Sequence, residues 1–175
     1  MLSIIRADLQ ANMLRSGFRS FLAALLYNPG FFVIFVFRLG DLCTRVPIIG
    51  SLLRILLWRF NVVTSSCYLH PDAVLGPGLR LPHPTGIVIG QGAVVGRNVT
   101  IYQHVTIGTR SDLTFKYPIV EDDCVIYANA VVVGDITIGE NSVVGASAVV
   151  VGSVPSNSLC VGNPATHRPK AARPK

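Results

Sequence analysis

The chain of 175 residues has few charges, few cysteines and no long apolar run. Charged residues make up 14% of it, and its net charge of +6 comes without the aromatic interleaving or motifs of nucleic-acid-binding proteins. Four cysteines (Cys43, Cys67, Cys124 and Cys160) show neither metal-ligand spacing nor the density of a disulfide framework. We therefore expect a cytoplasmic protein with reduced thiols, no metal site and no nucleic-acid partner.

A six-residue repeat runs from Leu69 to Val154. An apolar residue returns at this interval, and a small or compact residue follows four positions later. This pattern predicts a mainly β solenoid whose short strands turn two side chains inward per hexapeptide. Glycines often directly follow the apolar residue, at corners that favour a missing Cβ. The apolar series is Leu69, Leu75, Leu81, Ile89, Val95, Ile101, Ile107, Val120, Ile126, Val132, Ile138, Val144 and Val150.

Two places break the repeat. The step from Leu81 to Ile89 is eight residues, and it contains His83. The step from Ile107 to Val120 is thirteen residues, and it projects a loop over residues 109–117. Insertions in a solenoid tend to lie on one face, which is often the binding face. These two breaks are therefore the candidate site.

The segment ahead of the repeat, residues 1–65, predicts short helices, because its apolar runs are interrupted by Asn28-Pro29-Gly30 and by Arg54. No run reaches the roughly 18–20 residues of a spanning helix, and no secretory signal is expected. We favour a helical cap that covers the end of the solenoid and packs on neighbouring subunits. Peripheral contact with the inner face of the membrane stays open. It is suggested by seven interleaved arginines: Arg6, Arg15, Arg19, Arg38, Arg45, Arg54 and Arg59.

The repeat is accompanied by four local motifs: Leu69-His70-Pro71, residues 83–90, residues 105–108 and residues 161–165. Together they resemble the serine O-acetyltransferase branch of the hexapeptide-repeat acyltransferases, over about residues 27–166. The resemblance implies a left-handed parallel β-helix, usually a homotrimer, with acetyl-CoA as donor and active sites between neighbouring subunits. We expect a helical cap over residues 1–65, the β-helix acetyltransferase domain over 66–166 and a basic flexible tail over 167–175.

His83 is the candidate catalytic residue. An acetyl thioester is already activated, so the acceptor hydroxyl mainly needs a base, and a neutral imidazole suits that role near pH 7. The resemblance assigns the family's catalytic histidine to His83 and implies a mainly structural role for His70. For His104, catalysis and simple surface placement remain equal alternatives.

The resemblance also implies a coenzyme A site. Small residues allow a pantetheine arm to approach the backbone closely, whereas branched side chains would block it. Ordinary coil geometry explains the two alanines equally well. The positions similar to the family's coenzyme A site are Gly108, Ala128, Ala146, Asn163 and Pro164.

The acceptor is predicted from departures from the family pattern. Tyr68 stands where the family has the aspartate that supports the histidine, Pro82 replaces an aspartate that helps to hold serine, and Lys116-Tyr117 replaces an Arg-His pair. We therefore predict a neutral acceptor, a saccharide of exopolysaccharide or capsule synthesis, bound by Tyr68, Lys116 and Tyr117.

Three alternatives remain. The first is acetylation of L-serine, although the short amino-terminal region and the carboxyl-terminal sequence argue against a complex with cysteine synthase. The second is a zinc-dependent carbonic anhydrase-like protein using His70, His83 and His104. The third is a scaffold without activity. The support of His83 stays open between two alternatives. Tyr68 can accept a hydrogen bond from the imidazole, although a phenol stabilises imidazolium less than an anion would, and Asp72 or Asp112 of another coil or subunit could supply the charge instead.

Overall fold

The computed structural model of the chain describes residues 1–13, 17–111 and 115–171. Four helices come first: α1 (Leu2–Met13), α2 (Phe18–Tyr27), α3 (Pro29–Cys43) and α4 (Gly50–Ser65). Fourteen strands follow: β1 (Tyr68–Leu69), β2 (Val74–Leu75), β3 (Val88–Ile89), β4 (Val94–Val95), β5 (Thr100–Ile101), β6 (Thr106–Gly108), β7 (Ile119–Val120), β8 (Val125–Ile126), β9 (Val131–Val133), β10 (Thr137–Ile138), β11 (Val143–Val144), β12 (Val149–Val150), β13 (Ser158–Gly162) and β14 (Ala165–Pro169).

The strands form three sheets along the sides of one coil. The first sheet has the order β1-β3-β6-β9-β12, the second β2-β4-β7-β10 and the third β5-β8-β11-β13-β14. All neighbouring strands are parallel except the final pair, β13 and β14. In the first turn, a single bridge from Arg80 to Thr100 takes the place of a strand in the third sheet. The chain thus visits the three sheets in turn, which confirms the prediction of a parallel β solenoid preceded by helices.

The register of the first sheet shows where residues leave the coil. Val131 pairs with Val149, so a regular turn takes three hexapeptides. The step from Tyr68 to its partner Val88 exceeds this regular turn by two, because the excursion around His83 adds them. The step from Thr106 to its partner Val131 exceeds it by seven, because of the long loop. Both breaks in the repeat are therefore true insertions between sheets.

The core of the coil consists of apolar columns, one for each sheet. Ile89, Ile107 and Val132 of the first sheet are each 0% exposed, and Ala130 fills the corner beside them. Small corner residues are needed because the coil is narrow and protein interiors are closely packed. Gly76 shows the same constraint between coils, since a Cβ there would lie 2.3 Å from the carbonyl oxygen of Gly96.

A buried ion pair joins the helices to the first turn of the coil. Arg38 Nε on α3 donates to Asp8 Oδ2 on α1 at 2.9 Å, and the two side chains are 3% and 1% exposed. Arg38 Nη1 also donates to the carbonyl oxygen of Leu75, while Asp8 Oδ1 accepts from the backbone N–H groups of Gly78 and Leu79. Arg38 is therefore not available to a membrane surface, because its charge is neutralised inside the protein.

The helices pack around α3, which contacts α1, α2 and α4. Asn28 caps the start of α3, where its Oδ1 accepts a hydrogen bond from Phe31 N. Over the described residues, no single helix has the length and hydropathy of a membrane span; α2 and α3 together do, but are bent by 105° at their junction. The last helix, α4, leads directly into β1.

The carboxyl-terminal end is more ordered than predicted. His167, Arg168 and Pro169 belong to β14, which pairs antiparallel with β13. Lys170 Nζ then donates to the side-chain oxygen of Asn141 at 2.8 Å. The prediction of a flexible tail from residue 167 is therefore wrong for residues 167–170, because backbone pairing fixes them; residues 172–175 lie outside the described residues.

Candidate active site

A tight excursion displays His83 at the corner between the third and first sheets. Leu81 and Ile87 are buried and anchor the two ends of the excursion in the core. Pro84 is also buried, whereas His83 is exposed, and the carbonyl oxygen of His83 accepts a hydrogen bond from Thr85 N at 2.9 Å. Prolines on both sides restrict the backbone. The imidazole therefore projects from a rigid turn.

Tyr102 lies beside His83 and stacks on Tyr127, and we call these two tyrosines the tyrosine shelf. The ring centres of Tyr102 and His83 are 6.2 Å apart. Tyr102 stacks on Tyr127 with 5.0 Å between ring centres and 19° between ring planes. This stacking was not among the contacts predicted from the sequence. The repeat could have predicted the stacking, because Tyr102 and Tyr127 directly follow the register partners Ile101 and Ile126 of adjacent coils.

His104 lies against the same excursion. A Cβ on Gly86 would be 2.3 Å from His104 Nδ1, so the imidazole packs over this glycine. His104 N also donates to the carbonyl oxygen of Thr85 at 2.9 Å. Of the two alternatives for His104, the contacts favour a surface residue that supports the turn holding His83.

The predicted coenzyme A residues divide into two groups. Ala128 and Ala146 occupy the same corner on adjacent coils, and Ser147 N donates to the carbonyl oxygen of Ala128 at 2.9 Å. Asn163 and Pro164 form the exposed turn between β13 and β14, with a cis peptide bond between them. Gly108 instead ends β6, at the corner between the first and second sheets. Within one chain, Gly108 therefore lies at a different corner from the two alanines.

The predicted acceptor residues Lys116 and Tyr117 also lie at the corner between the first and second sheets. Lys116 Nζ pairs with Asp135 Oδ2 at 2.5 Å; both side chains are exposed, and the hydrogen bond to Asp135 raises the pKa of Lys116. The ring of Tyr117 packs over Gly90 and Gly92, where a Cβ would approach it to 2.6 and 2.5 Å. Tyr117 therefore fastens the end of the long loop to the coil.

Tyr68, the third predicted acceptor residue, lies where α4 meets the coil. Its ring meets the edge of Trp58 at 5.3 Å and lies 6.2 Å from His70. His70 Nδ1 accepts a hydrogen bond from Asp72 N at 3.1 Å, which agrees with a structural histidine. Over the described residues, no three His, Cys, Asp or Glu side chains are grouped to hold a metal ion.

Arg54 of α4 occupies the same junction and engages the carboxylate that was considered as a support for His83. Its Nη1 donates to Asp72 Oδ1 at 2.9 Å, and its Nη2 donates to the carbonyl oxygen of Pro71. Asp72 is thus committed to Arg54 and to the first coil, and Asp112 lies outside the described residues. Arg54 is also unavailable to a membrane surface, because Asp72 neutralises it.

The coil of hexapeptides, with a histidine displayed at a corner lined by small residues, defines a hexapeptide transferase. The family model described as "Bacterial transferase hexapeptide (six repeats)" matches residues 117–152. The chain is also 36% identical over 166 residues to the serine acetyltransferase of Mycobacterium tuberculosis, covering 94% of this chain and 72% of that protein. It therefore belongs to the serine acetyltransferase family, and the resemblance in the sequence is confirmed.

Solved structures agree over nearly the whole chain. Soybean serine acetyltransferase complexed with serine has a TM-score of 0.84 and 34% identity, over 95% of this chain and 68% of that one. Serine acetyltransferase of Brucella abortus strain S19 in complex with coenzyme A has a TM-score of 0.84 and 31% identity, over 97% and 68%. Some relatives are longer still: the chain spans 59% of the serine acetyltransferase of Synechococcus elongatus.

These relatives overturn the prediction of a saccharide acceptor. They are named serine acetyltransferases, which favours the alternative acceptor, L-serine. The structure gives a physical reason for this correction. The two tyrosines predicted to bind a sugar are used in packing: Tyr68 against Trp58, and Tyr117 over two glycines.

Proposed function

We propose that the chain transfers the acetyl group of acetyl-CoA to the hydroxyl of L-serine. The observation that carries this proposal is the agreement of the fold, helices included, with serine acetyltransferases in complex with serine and with coenzyme A. A left-handed coil and a homotrimer, both implied by the sequence resemblance, belong to the same proposal.

His83 is the general base of this proposal. Its neutral imidazole takes the proton of the serine hydroxyl while that oxygen attacks the thioester carbonyl carbon. The carbon–sulfur bond then breaks, the acetyl group stays on the serine oxygen, and the sulfur leaves with the proton that the imidazolium returns. The rigid, exposed position of His83 supports this role, because a base must reach the hydroxyl in a fixed geometry. Tyr102, 6.2 Å away between ring centres, restricts the ring from one side.

Serine is a zwitterion, and the exposed pair Lys116–Asp135 carries the two complementary charges. In the proposal, Lys116 meets the serine carboxylate and Asp135 meets the ammonium group. This pair lies at the corner between the first and second sheets, whereas His83 lies at the corner between the third and first. A trimer in which these corners of neighbouring subunits meet therefore completes the site.

The same trimer explains why the predicted coenzyme A residues lie at two different corners of one chain. Ala128 and Ala146 lie on the corner that follows the tyrosine shelf, and Gly108 lies on the corner that carries Lys116. A Cβ on Gly108 would meet only Thr106 Cγ2, at 4.0 Å, so nothing within the described chain requires glycine there. A pantetheine arm passing between two subunits supplies the missing reason, because it needs close access to the backbone.

The test is release of free coenzyme A from acetyl-CoA by the purified protein, with L-serine, D-serine and a panel of oligosaccharides as acceptors. Turnover is expected with L-serine and not with the sugars. His83→Ala should lower kcat by about 10²- to 10⁴-fold, the usual contribution of a positioned base. His167→Ala, which removes an exposed histidine on β14, is the matched control and should keep its activity.

Two results would contradict the proposal. Turnover on an oligosaccharide but not on L-serine would place the acceptor in another chemical class. Serine turnover that survives in His83→Ala would show that another group accepts the proton. Circular dichroism of both variants establishes that a loss of rate is not a loss of fold.

A further inference from the structure

Helix α4 presents six of its apolar side chains outward. They cover a continuous arc of about 160° of the helix surface, counted from its geometry. Within the arc, Leu52 is 58% exposed, Leu56 55% and Val63 77%. Ile48, just before the helix, is 98% exposed and has a left-handed backbone conformation with φ of 69°, which is uncommon for a β-branched residue. The complete set is Ile48, Ile49, Leu52, Leu53, Ile55, Leu56, Phe60 and Val63; we call it the α4 apolar face.

The inner side of the same helix is held in place by polar contacts. Asn61 is 3% exposed, and its Nδ2 donates to the carbonyl oxygen of Val33 at 3.0 Å. Arg54 pairs with Asp72 of the coil. Gly50 lies so close to α3 that a Cβ would be 2.1 Å from the carbonyl oxygen of Cys43. Rotation of the helix to bury its apolar face would break all of these contacts, so the outward orientation is a property of the fold.

The charges around the α4 apolar face have one sign. From Leu42 to Pro71 the sequence contains no Asp or Glu. Arg45 and Arg59 are exposed, and Arg59 lies inside the apolar arc. A two-fold contact with a second copy would set these arginines against an equally basic face. The partner that complements this face has a negatively charged surface with an apolar layer beneath it, because the face combines apolar side chains with positive charges.

We propose that the α4 apolar face binds an anionic lipid bilayer, with the helix lying in the plane of the interface. The Leu, Ile, Phe and Val side chains enter the boundary of the acyl chains, while Arg45 and Arg59 reach the phosphate groups of the lipid heads. At 16 residues the helix is too short to cross a bilayer, which agrees with this orientation. The proposal is independent of the acetyl transfer, since His83 and the tyrosine shelf belong to the coil.

Flotation of the full chain with vesicles tests the proposal. Vesicles of phosphatidylcholine alone are compared with vesicles that also contain phosphatidylglycerol. The wild-type protein should float with the anionic vesicles, and less of it should do so at 0.5 M salt. The double variant Leu52→Gln with Leu56→Gln should bind the vesicles at least about tenfold more weakly, because it replaces two leucines that would be buried in the bilayer.

The matched control removes two exposed apolar side chains from the second sheet, Val74→Gln with Ile119→Gln, which are 59% and 45% exposed in the wild type. It should float as the wild type does. Circular dichroism and sedimentation velocity without lipid establish fold and mass for each variant.

Three outcomes would overturn the inference. The first is no flotation of the wild type. The second is an equal loss of flotation in the α4 variant and the control. The third is a lower mass for the α4 variant without lipid, which would assign the face to a contact between copies of the chain. The α4 variant should still acetylate L-serine in solution although it no longer floats with vesicles. This activity measurement tests the proposed acetyl transfer separately from the proposed lipid binding.

Discussion

The coil and helix α4 place apolar side chains in opposite ways. In the coil, the columns that contain Ile107 and Ile126 point inward and are fully buried. In α4, Leu52 and Leu56 point outward, while Asn61 and Arg54 face the protein. The coil can order its side chains through its own repeat, because each strand pairs with a copy of the same pattern. The helix is oriented by a few individual contacts, so the positions of its apolar residues do not indicate which side of the helix faces the core.

The largest loss of stability is expected at the ion pair that joins helices α1 and α3 to the coil. Asp8→Ala leaves the Arg38 guanidinium buried without its partner, and loss of one member of a buried pair typically costs about 3–5 kcal/mol. Urea denaturation of both proteins measures the free energy of unfolding. Asp72→Ala is the control, because its pair with Arg54 is partly exposed and should contribute at most about 1 kcal/mol. Equal effects of the two variants would show that the helices do not depend on the buried pair.

The second prediction compares one residue from each region. Ile126→Ala opens a cavity in the coil and should lower the free energy of unfolding by about 2–5 kcal/mol. Leu56→Ala removes an exposed side chain of α4 and should change it by less than about 0.5 kcal/mol in the absence of lipid. A comparable loss in Leu56→Ala would mean that protein covers the α4 apolar face in solution.

The smallest effect concerns the cysteines, and it is measured as a rate of alkylation. Burial raises the pKa of the Cys124 thiol to about 11 and also raises the pKa of Cys67 and Cys160, all three in the coil. Little reactive thiolate forms on Cys124 at pH 8, and it increases only as the pH rises toward 11. Cys43, on α3, is only partly buried. Mass spectrometry after iodoacetamide treatment should find Cys43 modified first; faster labelling of Cys124 would contradict its burial.

Much of the coil could be predicted, because its information is local. The interval between apolar residues fixes which side chains point inward, and the steps of eight and thirteen residues locate the insertions. The exposed position of His83 followed from the same arithmetic. Identification of the acceptor failed, since the environment of a tyrosine depends on residues far away in sequence: Tyr117 packs on Gly90 and Gly92.

The helical region was predicted less well for the same reason. Seven arginines interleaved with apolar residues suggested a single basic surface. In the structure, however, Arg38 is buried against Asp8, and Arg54 is bound to Asp72. Arg6, Arg19, Arg45 and Arg59 are exposed, and Arg15 lies outside the described residues. No pattern within the helices distinguishes the paired arginines from the exposed ones, because their partners lie 30 and 18 residues away.

The amino-acid sequence alone determined the solenoid of hexapeptides, the two insertions and the display of His83, because a repeat specifies its own neighbours. Only the tertiary structure decided how Lys116 pairs with Asp135, how Tyr102 stacks beside His83, and which side of α4 faces outward. Each of these depends on contacts between residues distant in the chain, whose geometry is set when the coil closes and the helices dock.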